Sequence, residues 1–351
     1  MRIRSNTTRA GTSRPFPRRS ENKVKGQRSK VKGLTFNLFR LLVAVVLVGV
    51  SLWRSDPLEV WRVGTAAKVG PILVAVALVF VDRALMAWRW FELLRPIEPR
   101  QLPPFGTILR IFFVSTFVGT FLPASIGGDA VRAYSLARQG VPPEDSLVSV
   151  VLDRMLGVLS LLLMALGSLW LARDLAANVG LIVAIAVTGG ACALTAGMIF
   201  SPRVEHLTMR LVASLPWARV RHLGEAAVGA TRRYSTYRTS LVLVLLGSLG
   251  VQVLRVVQAW YLGRALGMTD PLSTYFAFVP LILLIMLLPI TINGIGTSQA
   301  AFVGLFGAAG TPDAQAFALS VLFVALGIVG NLPGAMLYAM HGHERQRIHR
   351  T

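Results

Sequence analysis

The chain has 351 residues, of which 54% are hydrophobic and only 15% are charged, and its mean hydropathy is +0.61. Because a soluble domain carries roughly 25% charged residues, this composition excludes an ordinary soluble protein and indicates an integral membrane protein. The formal net charge of +20 is of the kind that nucleic-acid-binding proteins carry. Here, however, the cations gather in polar segments beside apolar blocks, which favours topology and anionic lipid over a nucleic-acid partner.

The N-terminal segment is polar and basic. Residues 1–33 hold eleven Lys or Arg residues and one acidic residue, Glu21. The segment has no hydrophobic periodicity and is rich in Ser, Thr, Gly and Pro, which predicts a disordered cytoplasmic tail. No small-residue cleavage site follows the first apolar block, about 36–53, so that block is expected to be a signal anchor and not a cleaved signal peptide.

Eight apolar blocks follow one another along the chain, and most approach the ~20 residues that span a bilayer. They run over approximately 36–53, 70–91, 105–122, 146–172, 179–200, 239–263, 272–292 and 314–340. Two shorter apolar pieces, 124–138 and 297–309, each follow an interruption rich in Gly and Pro. The pieces after the interruptions pose the main topological question, because each either lies along the surface or completes a hairpin.

The Arg-dense segment 201–238, with seven Arg and two Glu residues, decides between two paths of the chain. If 105–122 and 272–292 were full spans, this segment would face the outside, against the rule that cations remain in the cytoplasm. If 105–138 and 272–309 are instead re-entrant hairpins, the segment and both termini are cytoplasmic. The second path is therefore predicted.

The cation count under the predicted path is strongly asymmetric. Cytoplasmic segments hold 27 Lys or Arg residues and external segments hold five. Tryptophans are enriched at membrane interfaces. The outer interface is marked by Trp53, Trp61, Trp170 and Trp260, and the inner interface by Trp88 and Trp90.

The predicted fold is an all-α polytopic membrane protein with about six full transmembrane helices and two re-entrant, Gly/Pro-broken helical hairpins. The hairpins enter from opposite faces, which is the arrangement of an inverted repeat. The predicted organisation is a basic cytoplasmic tail, a single transmembrane domain in two halves joined by a basic cytoplasmic segment, and a second cytoplasmic tail. The corresponding ranges are 1–33, 34–340 (halves about 34–200 and 239–340, joined by 201–238) and 341–351.

The first interruption reads FLPASIGGDAVRAY, residues 121–134. Gly127 and Gly128 permit a tight turn or a close backbone approach, and Asp129 stands where an N-cap of the next helix is expected. The free N–H groups of a helix N-terminus favour an anion, and Arg132 lies one turn further on. In one interpretation the turn and Arg132 hold a lipid phosphate. In the other, which is compatible with it, Asp129 caps the helix and pairs with Arg132.

The second interruption reads LLPITINGIGTSQAA, residues 287–301. It offers uncharged polar groups at membrane depth, which only protein or a water-filled cavity can accommodate. In a functional interpretation Asn293 and Gln299 are headgroup ligands beside Gly294 and Gly296. In the alternative, Asn293 or the threonine after Gly296 caps the half-helix, and Gln299 bonds to a neighbouring helix.

Charged residues within the spans are the third candidate group. Asp153-Arg154 and Asp82-Arg83 are adjacent acid–base pairs in apolar blocks, and intramembrane charges indicate function by default. A structural ion pair is the competing interpretation, since a long side chain near a helix end can reach the interface. Arg255 has no acidic neighbour in sequence, so it pairs with Asp82 or Asp153 of another helix or contacts substrate.

No motif for catalysis is present in the sequence. There is no G-x-S-x-G, no His/Cys spacing typical of a metal site and no P-loop, and the single cysteine, Cys192, allows no intramolecular disulfide. The sequence therefore predicts neither an enzyme nor a cofactor or metal site.

Three segments together resemble a known family. GGDAVRAYSLAR (127–138), SVVLDRMLGVL (149–159) and LPITINGIGTSQAA (288–301) are similar, in order and spacing, to the lysylphosphatidylglycerol synthase transmembrane-region family of flippase-like proteins. The resemblance covers about 70–340 and implies movement of lipids or lipid-linked molecules between leaflets. Many members have an Arg-Glu pair where this chain has Ser-Gln, at 298 and 299. The full synthases add a soluble aminoacyltransferase domain; this chain ends eleven residues after its last predicted span, so the resemblance implies no synthase activity.

The predicted function is that of a multi-pass inner-membrane, flippase-like protein that moves an anionic lipid or lipid-linked intermediate by alternating access. The alternative is a non-transporting scaffold that assists a membrane-bound glycosyltransferase or lipid-modifying enzyme. Membrane lipids are the expected partners in the first case, and that enzyme in the second. The predicted substrate-binding residues are Gly127, Gly128, Asp129, Arg132, Asp153, Arg154, Asn293, Gly294, Gly296 and Gln299.

Overall fold

The computed structural model describes most of the membrane-embedded chain. It covers 40–96, 102–121, 126–171, 179–201, 237–287 and 294–339, with isolated positions between them at Arg203, Leu207, Met209, Arg210, Arg221 and Thr291. The predicted tails and most of the predicted cytoplasmic segment between the two halves lie outside these residues. Within the described ranges every regular element is helical.

The helices follow the apolar blocks closely. Their bounds are α1 Arg40–Arg54, α2 Pro57–Thr65, α3 Val69–Leu94, α4 Phe105–Phe121, α5 Ile126–Ala137, α6 Pro143–Leu171, α7 Val179–Phe200, α8 Arg238–Ala265, α9 Leu272–Leu287, α10 Thr297–Ala308 and α11 Asp313–Val329. After a turn at Gly330 the last helix continues over 332–339, here called the α11 extension.

Four helices of the described chain are long and apolar enough to cross a membrane, namely α3, α6, α8 and α11 with its extension. The helices α1 and α2 are bent by 82° and add a fifth span if they count as one. About six spans were predicted. The sixth, 179–200, corresponds to α7, which is a helix of 22 residues. The shorter apolar helices α4 and α9 belong to the two predicted hairpins.

The helices α3 and α8 form an antiparallel pair at the centre of the bundle. The backbone N–H of Lys68 donates to the carbonyl of Ala265 at one end, at 2.8 Å. Towards the other end, Arg89 donates to the hydroxyl of Ser248, also at 2.8 Å. Because α3 directly precedes the first hairpin and α8 the second, corresponding helices of the halves run in opposite directions. This is the inverted relation that the sequence predicts.

The two hairpins lie at opposite ends of this pair. Near the C-terminal end of α3, Leu94 packs with Ile108 of α4 and Leu136 of α5 in one buried cluster. At the other end, the hydroxyl of Thr311, which follows α10, donates to the carboxylate of Asp270, which precedes α9, at 3.1 Å. Each hairpin therefore begins and ends on the same side of the bundle, and the two sides differ.

The hairpin of α4 and α5 depends on a backbone contact between glycines. A Cβ on Gly128 would lie 2.9 Å from the carbonyl oxygen of Ser115 and 3.1 Å from the Cα of Gly119. Since α5 begins at Ile126, Gly128 is helical and serves close packing, not a turn. For the same reason the N-cap prediction for Asp129 is wrong, because this residue lies in the first turn of α5.

The predicted orientation of the bundle in the membrane rests on the cation distribution and can be tested by labelling. In a Cys192→Ser background, we expect Arg62→Cys on α2 to react with a membrane-impermeant maleimide in intact cells. Gln139→Cys, beyond α5, should react only after permeabilisation. Both positions are exposed, so accessibility will report sidedness and not burial. Labelling of Gln139→Cys in intact cells would contradict the predicted topology.

Candidate functional site: a buried arginine–aspartate cluster

The charged residues of the first interruption meet those of α6, but in crossed pairs. Arg132 of α5 donates from Nη1 to Oδ2 of Asp153 at 2.9 Å. Arg154 donates from Nε and Nη2 to the two carboxylate oxygens of Asp129, at 2.7 and 3.0 Å. Asp129 and Arg132 lie one helical turn apart, so each faces a different partner on α6. The alternative that pairs Asp129 with Arg132 is not the arrangement observed.

A third arginine completes the cluster from α3. Arg89 places Nη2 at 2.8 Å from Oδ1 of Asp153, on the carboxylate oxygen that Arg132 does not occupy. Ser248 of α8 accepts a hydrogen bond from the same guanidinium. Arg89 is not among the predicted site residues. Glu92 lies three residues after Arg89 on α3 but pairs with Arg95 at 3.4 Å, so the partner of Arg89 on another helix could not be read from the sequence.

Aromatic rings support the buried arginine. The Arg132 guanidinium carbon lies 3.9 Å from the centroid of Trp90 and 5.3 Å from that of Phe112. The indole N–H of Trp90 donates to the hydroxyl of Ser149 at 3.2 Å. Nε and Nη2 of Arg132 have no hydrogen-bond partner among the described residues, so cation–π attraction offsets part of their desolvation. Trp90, predicted at the interface, is fully buried.

The cluster is closed on one side and accessible on the other. Arg132 and Asp153 are buried, whereas the side chain of Arg154 is 52% exposed and that of Asp129 is 21% exposed. With three arginines and two aspartates, the ionised cluster has a net charge of +1. An anion approaching from the accessible side would therefore first meet the guanidinium of Arg154.

The second interruption is shaped by glycine backbone. Gly294 and Gly296 have φ values of +75° and +92°. Residues other than glycine rarely adopt such values. A Cβ on Gly296 would also lie 2.8 Å from the carbonyl oxygen of Ala44 in α1. Both glycines are thus required by their backbone conformation, and Gly296 is also required by its close packing against α1.

Gln299 closes the N-terminus of its own helix. Its Oε1 accepts from the backbone N–H of Gly296 at 2.6 Å and from the hydroxyl of Ser298 at 3.0 Å. The side chain is 4% exposed. The structure thus gives Gln299 a capping role, which differs from both the headgroup ligand and the link to a neighbouring helix considered from sequence. Asn293 lies outside the described residues.

The tip of the second hairpin contacts α1. Arg40 donates from Nη2 to the carbonyl oxygen of Thr291 at 2.8 Å, and the hydroxyls of Thr291 and Thr297 lie 3.1 Å apart. The first interruption, by contrast, contacts α4 and α6. The predicted site residues therefore fall into two groups with different neighbours, and only the first group is charged.

An apolar groove runs between α4 and the α11 extension. These elements pack closely where Gly334 meets the backbone of Phe113. The groove has a volume of about 440 Å³. It is lined by Gly106, Leu109, Arg110, Phe113, Pro333, Met336 and Leu337. Six of these seven residues carry no charge, so the groove suits a hydrocarbon chain with a single cation at its wall.

Comparison with known proteins agrees with the resemblance seen in the sequence. A family model of the lysylphosphatidylglycerol synthase TM region matches residues 37–334, which include both interruptions and the charged cluster. The chain is also 26% identical over 324 residues to a UPF0104 membrane protein of Methanothermobacter thermautotrophicus. That similarity covers 84% of this chain and 89% of the relative.

Proposed function

Because the chain belongs to the family of the lysylphosphatidylglycerol synthase transmembrane region, we propose that this multi-pass membrane protein is a flippase-like lipid transporter. It moves an anionic lipid or lipid-linked intermediate between the leaflets of a prokaryotic inner membrane. Both termini are cytoplasmic in this proposal. The protein uses no cofactor and makes or breaks no covalent bond in the lipid.

The observation that carries the proposal is the arginine–aspartate cluster of the first hairpin. Charges at membrane depth are costly and are retained mainly where they act. The excess of one arginine in this cluster is complemented by one phosphate charge. Arg154 is the accessible member, and a guanidinium is suited to bidentate binding of phosphate oxygens. In the structure two donors of Arg154, Nε and Nη2, are bonded to the Asp129 carboxylate. An incoming phosphate would therefore replace that carboxylate.

The arrangement of helices suggests how the site could be reached from each leaflet in turn. Hairpins that enter from opposite ends of the antiparallel α3–α8 pair can open alternately to the two sides, as in other inverted-repeat transporters. The apolar groove beside α4 takes one acyl chain while the headgroup contacts the polar interior. The occupant is a lipid because both walls of the groove belong to membrane-embedded helices.

A leaflet-resolved assay in proteoliposomes tests the proposal. The vesicles contain phosphatidylcholine with fluorescently labelled phosphatidylglycerol, and an external quencher reports the fraction that changes leaflet. We expect Arg154→Gln to slow this movement at least ~10-fold, because the accessible guanidinium is lost. The melting temperature should not fall, because the Arg154 side chain is half exposed and its ion pair contributes little stability. Arg154→Lys should recover part of the rate, since lysine keeps the charge without the fork.

Arg138→Gln is the matched control, because Arg138 is an exposed arginine on the turn after α5 and contacts only Tyr134 among its described hydrogen-bond partners. Its rate should equal that of the wild type. Equal rates for Arg154→Gln and Arg138→Gln would contradict the role of the cluster. A wild-type protein that moves no labelled lipid would reject transport itself and leave the accessory scaffold as the explanation.

A further inference from the structure

A second charged cluster lies halfway along the central helix pair. Asp82 and Arg83 are thirteen and fourteen residues into α3, which places them about 20 Å from its start at 1.5 Å per residue. Asp82 is 1% exposed and contacts Nη1 of Arg83 at 2.7 Å. Nε of Arg255 from α8 lies 3.7 Å from the other carboxylate oxygen. This partner for Arg255 is one of the alternatives considered from the sequence.

Polar groups from α4 and from the turn after α11 extend this cluster. Arg83 donates from Nε to the side-chain oxygen of Asn331 at 3.2 Å. The amide nitrogen of Asn331 donates to the hydroxyl of Thr120 at 2.9 Å. Thr120 belongs to the last turn of α4, directly before the first interruption. The cluster therefore joins four helices at the inner end of a re-entrant hairpin.

The cluster has one more cation than anion. Arg83 and Arg255 share the single carboxylate of Asp82, and the contact to Arg255 is the longer of the two. The other described hydrogen bond of Arg255 is to the thioether of Met86 at 3.6 Å, and a thioether is a weak acceptor. The side chain of Arg255 is 25% exposed, so an incoming group can reach it.

We propose that Arg83 and Arg255 form a second anion site, which binds the phosphodiester group of a lipid halfway through its passage. This inference rests on the proposed function and names its substrate class, a lipid whose headgroup has one net negative charge. The two charged clusters each carry one excess cation. Arg83 and Arg89 are six residues apart on α3, so the two clusters are offset by about 9 Å along its axis.

The neighbouring groove favours a lipid over free phosphate as the source of that anion. The groove is bounded by Phe113 on α4 and Pro333 on the α11 extension. Pro333 is two residues from Asn331, and Phe113 is two helical turns from Thr120. A headgroup at the second site therefore has space for its acyl chain beside it, which free phosphate would leave empty.

Binding of dihexanoyl phosphatidylglycerol to the full-length protein in detergent tests this site separately from transport. The measurements use an Arg154→Gln background, which disables the accessible part of the first cluster. Adding Arg255→Gln should weaken binding at least ~10-fold, because it removes the excess charge. Adding Asp82→Asn should tighten binding several-fold, because it removes the competing carboxylate. A purely structural ion pair would give no such opposite effects.

Arg264→Gln provides the charge-matched control, since Arg264 lies in the last turn of the same helix and stacks on Trp260. If the Arg264→Gln variant bound the lipid as weakly as the Arg255→Gln variant, the proposal would be overturned. If Asp82→Asn does not fold, Arg255→Lys replaces it and should bind more tightly than Arg255→Gln. Dihexanoyl phosphatidylcholine should bind weakly, and equal binding would also overturn the proposal. Inorganic phosphate binding without phosphatidylglycerol binding would assign the site to a free anion and reject the lipid.

Discussion

Replacing Asp153 by asparagine is expected to destabilise the protein by about 3–5 kcal/mol, because it leaves buried arginines without a counter-charge. Arg89 and Arg132 each contact one oxygen of this carboxylate, at 2.8 and 2.9 Å. A neutral amide offers one acceptor oxygen and no charge to two guanidinium groups. The melting temperature in detergent should fall by on the order of 10 °C, and much of the protein should be lost on extraction.

Asp129→Asn is the control for this prediction. Asp129 also pairs with an arginine, but its side chain is 21% exposed and that of its partner Arg154 is 52% exposed. Pairs that reach solvent or headgroups contribute about 0–1 kcal/mol, so the melting temperature should change little. A loss of stability as large for Asp129→Asn as for Asp153→Asn would show that burial does not separate the two halves of the cluster.

Replacing Gly128 by valine is expected to abolish folding or to leave a protein that aggregates on extraction. Its Cβ alone would lie 2.9 Å from the carbonyl of Ser115 and 3.1 Å from Gly119, and both contacts are to backbone. Backbone atoms cannot rotate away as side chains do, so α4 and α5 would have to separate. Overpacking of this kind costs about 1–3 kcal/mol or more, in a hairpin that positions the charged cluster.

Gly167→Ala on α6 supplies the contrast. A Cβ at Gly167 meets nothing within 4 Å, and alanine has the higher helix propensity by about 1 kcal/mol. This change should leave the melting temperature equal or slightly higher, whereas Gly128→Ala should already lower it. A Gly128→Ala variant as stable as Gly167→Ala would show that the hairpin tolerates separation of its helices. Circular dichroism melts and size-exclusion profiles distinguish these outcomes.

Sequence reasoning located the hairpins because their cause is local. Backbone groups in a bilayer must be paired, so Gly- and Pro-rich breaks at membrane depth permitted few paths, and the cation count selected one. The same reasoning misjudged Asp129 as an N-cap, since α5 begins three residues earlier, at Ile126. Helix ends are set by hydrogen bonds and packing that a single sequence specifies loosely.

The membrane class, the two breaks and the inventory of intramembrane charges were determined by the sequence itself. Each depends on composition or on spacing within about one helical turn. Which charge contacts which in the first cluster was decided by tertiary structure: Asp153 forms ion pairs with Arg89 and Arg132, whereas its neighbour Arg154 pairs with Asp129. Adjacent residues on a helix point about 100° apart, so they seldom face each other. In this cluster the partners come from neighbouring helices, whose approach is set by packing, as at Gly128.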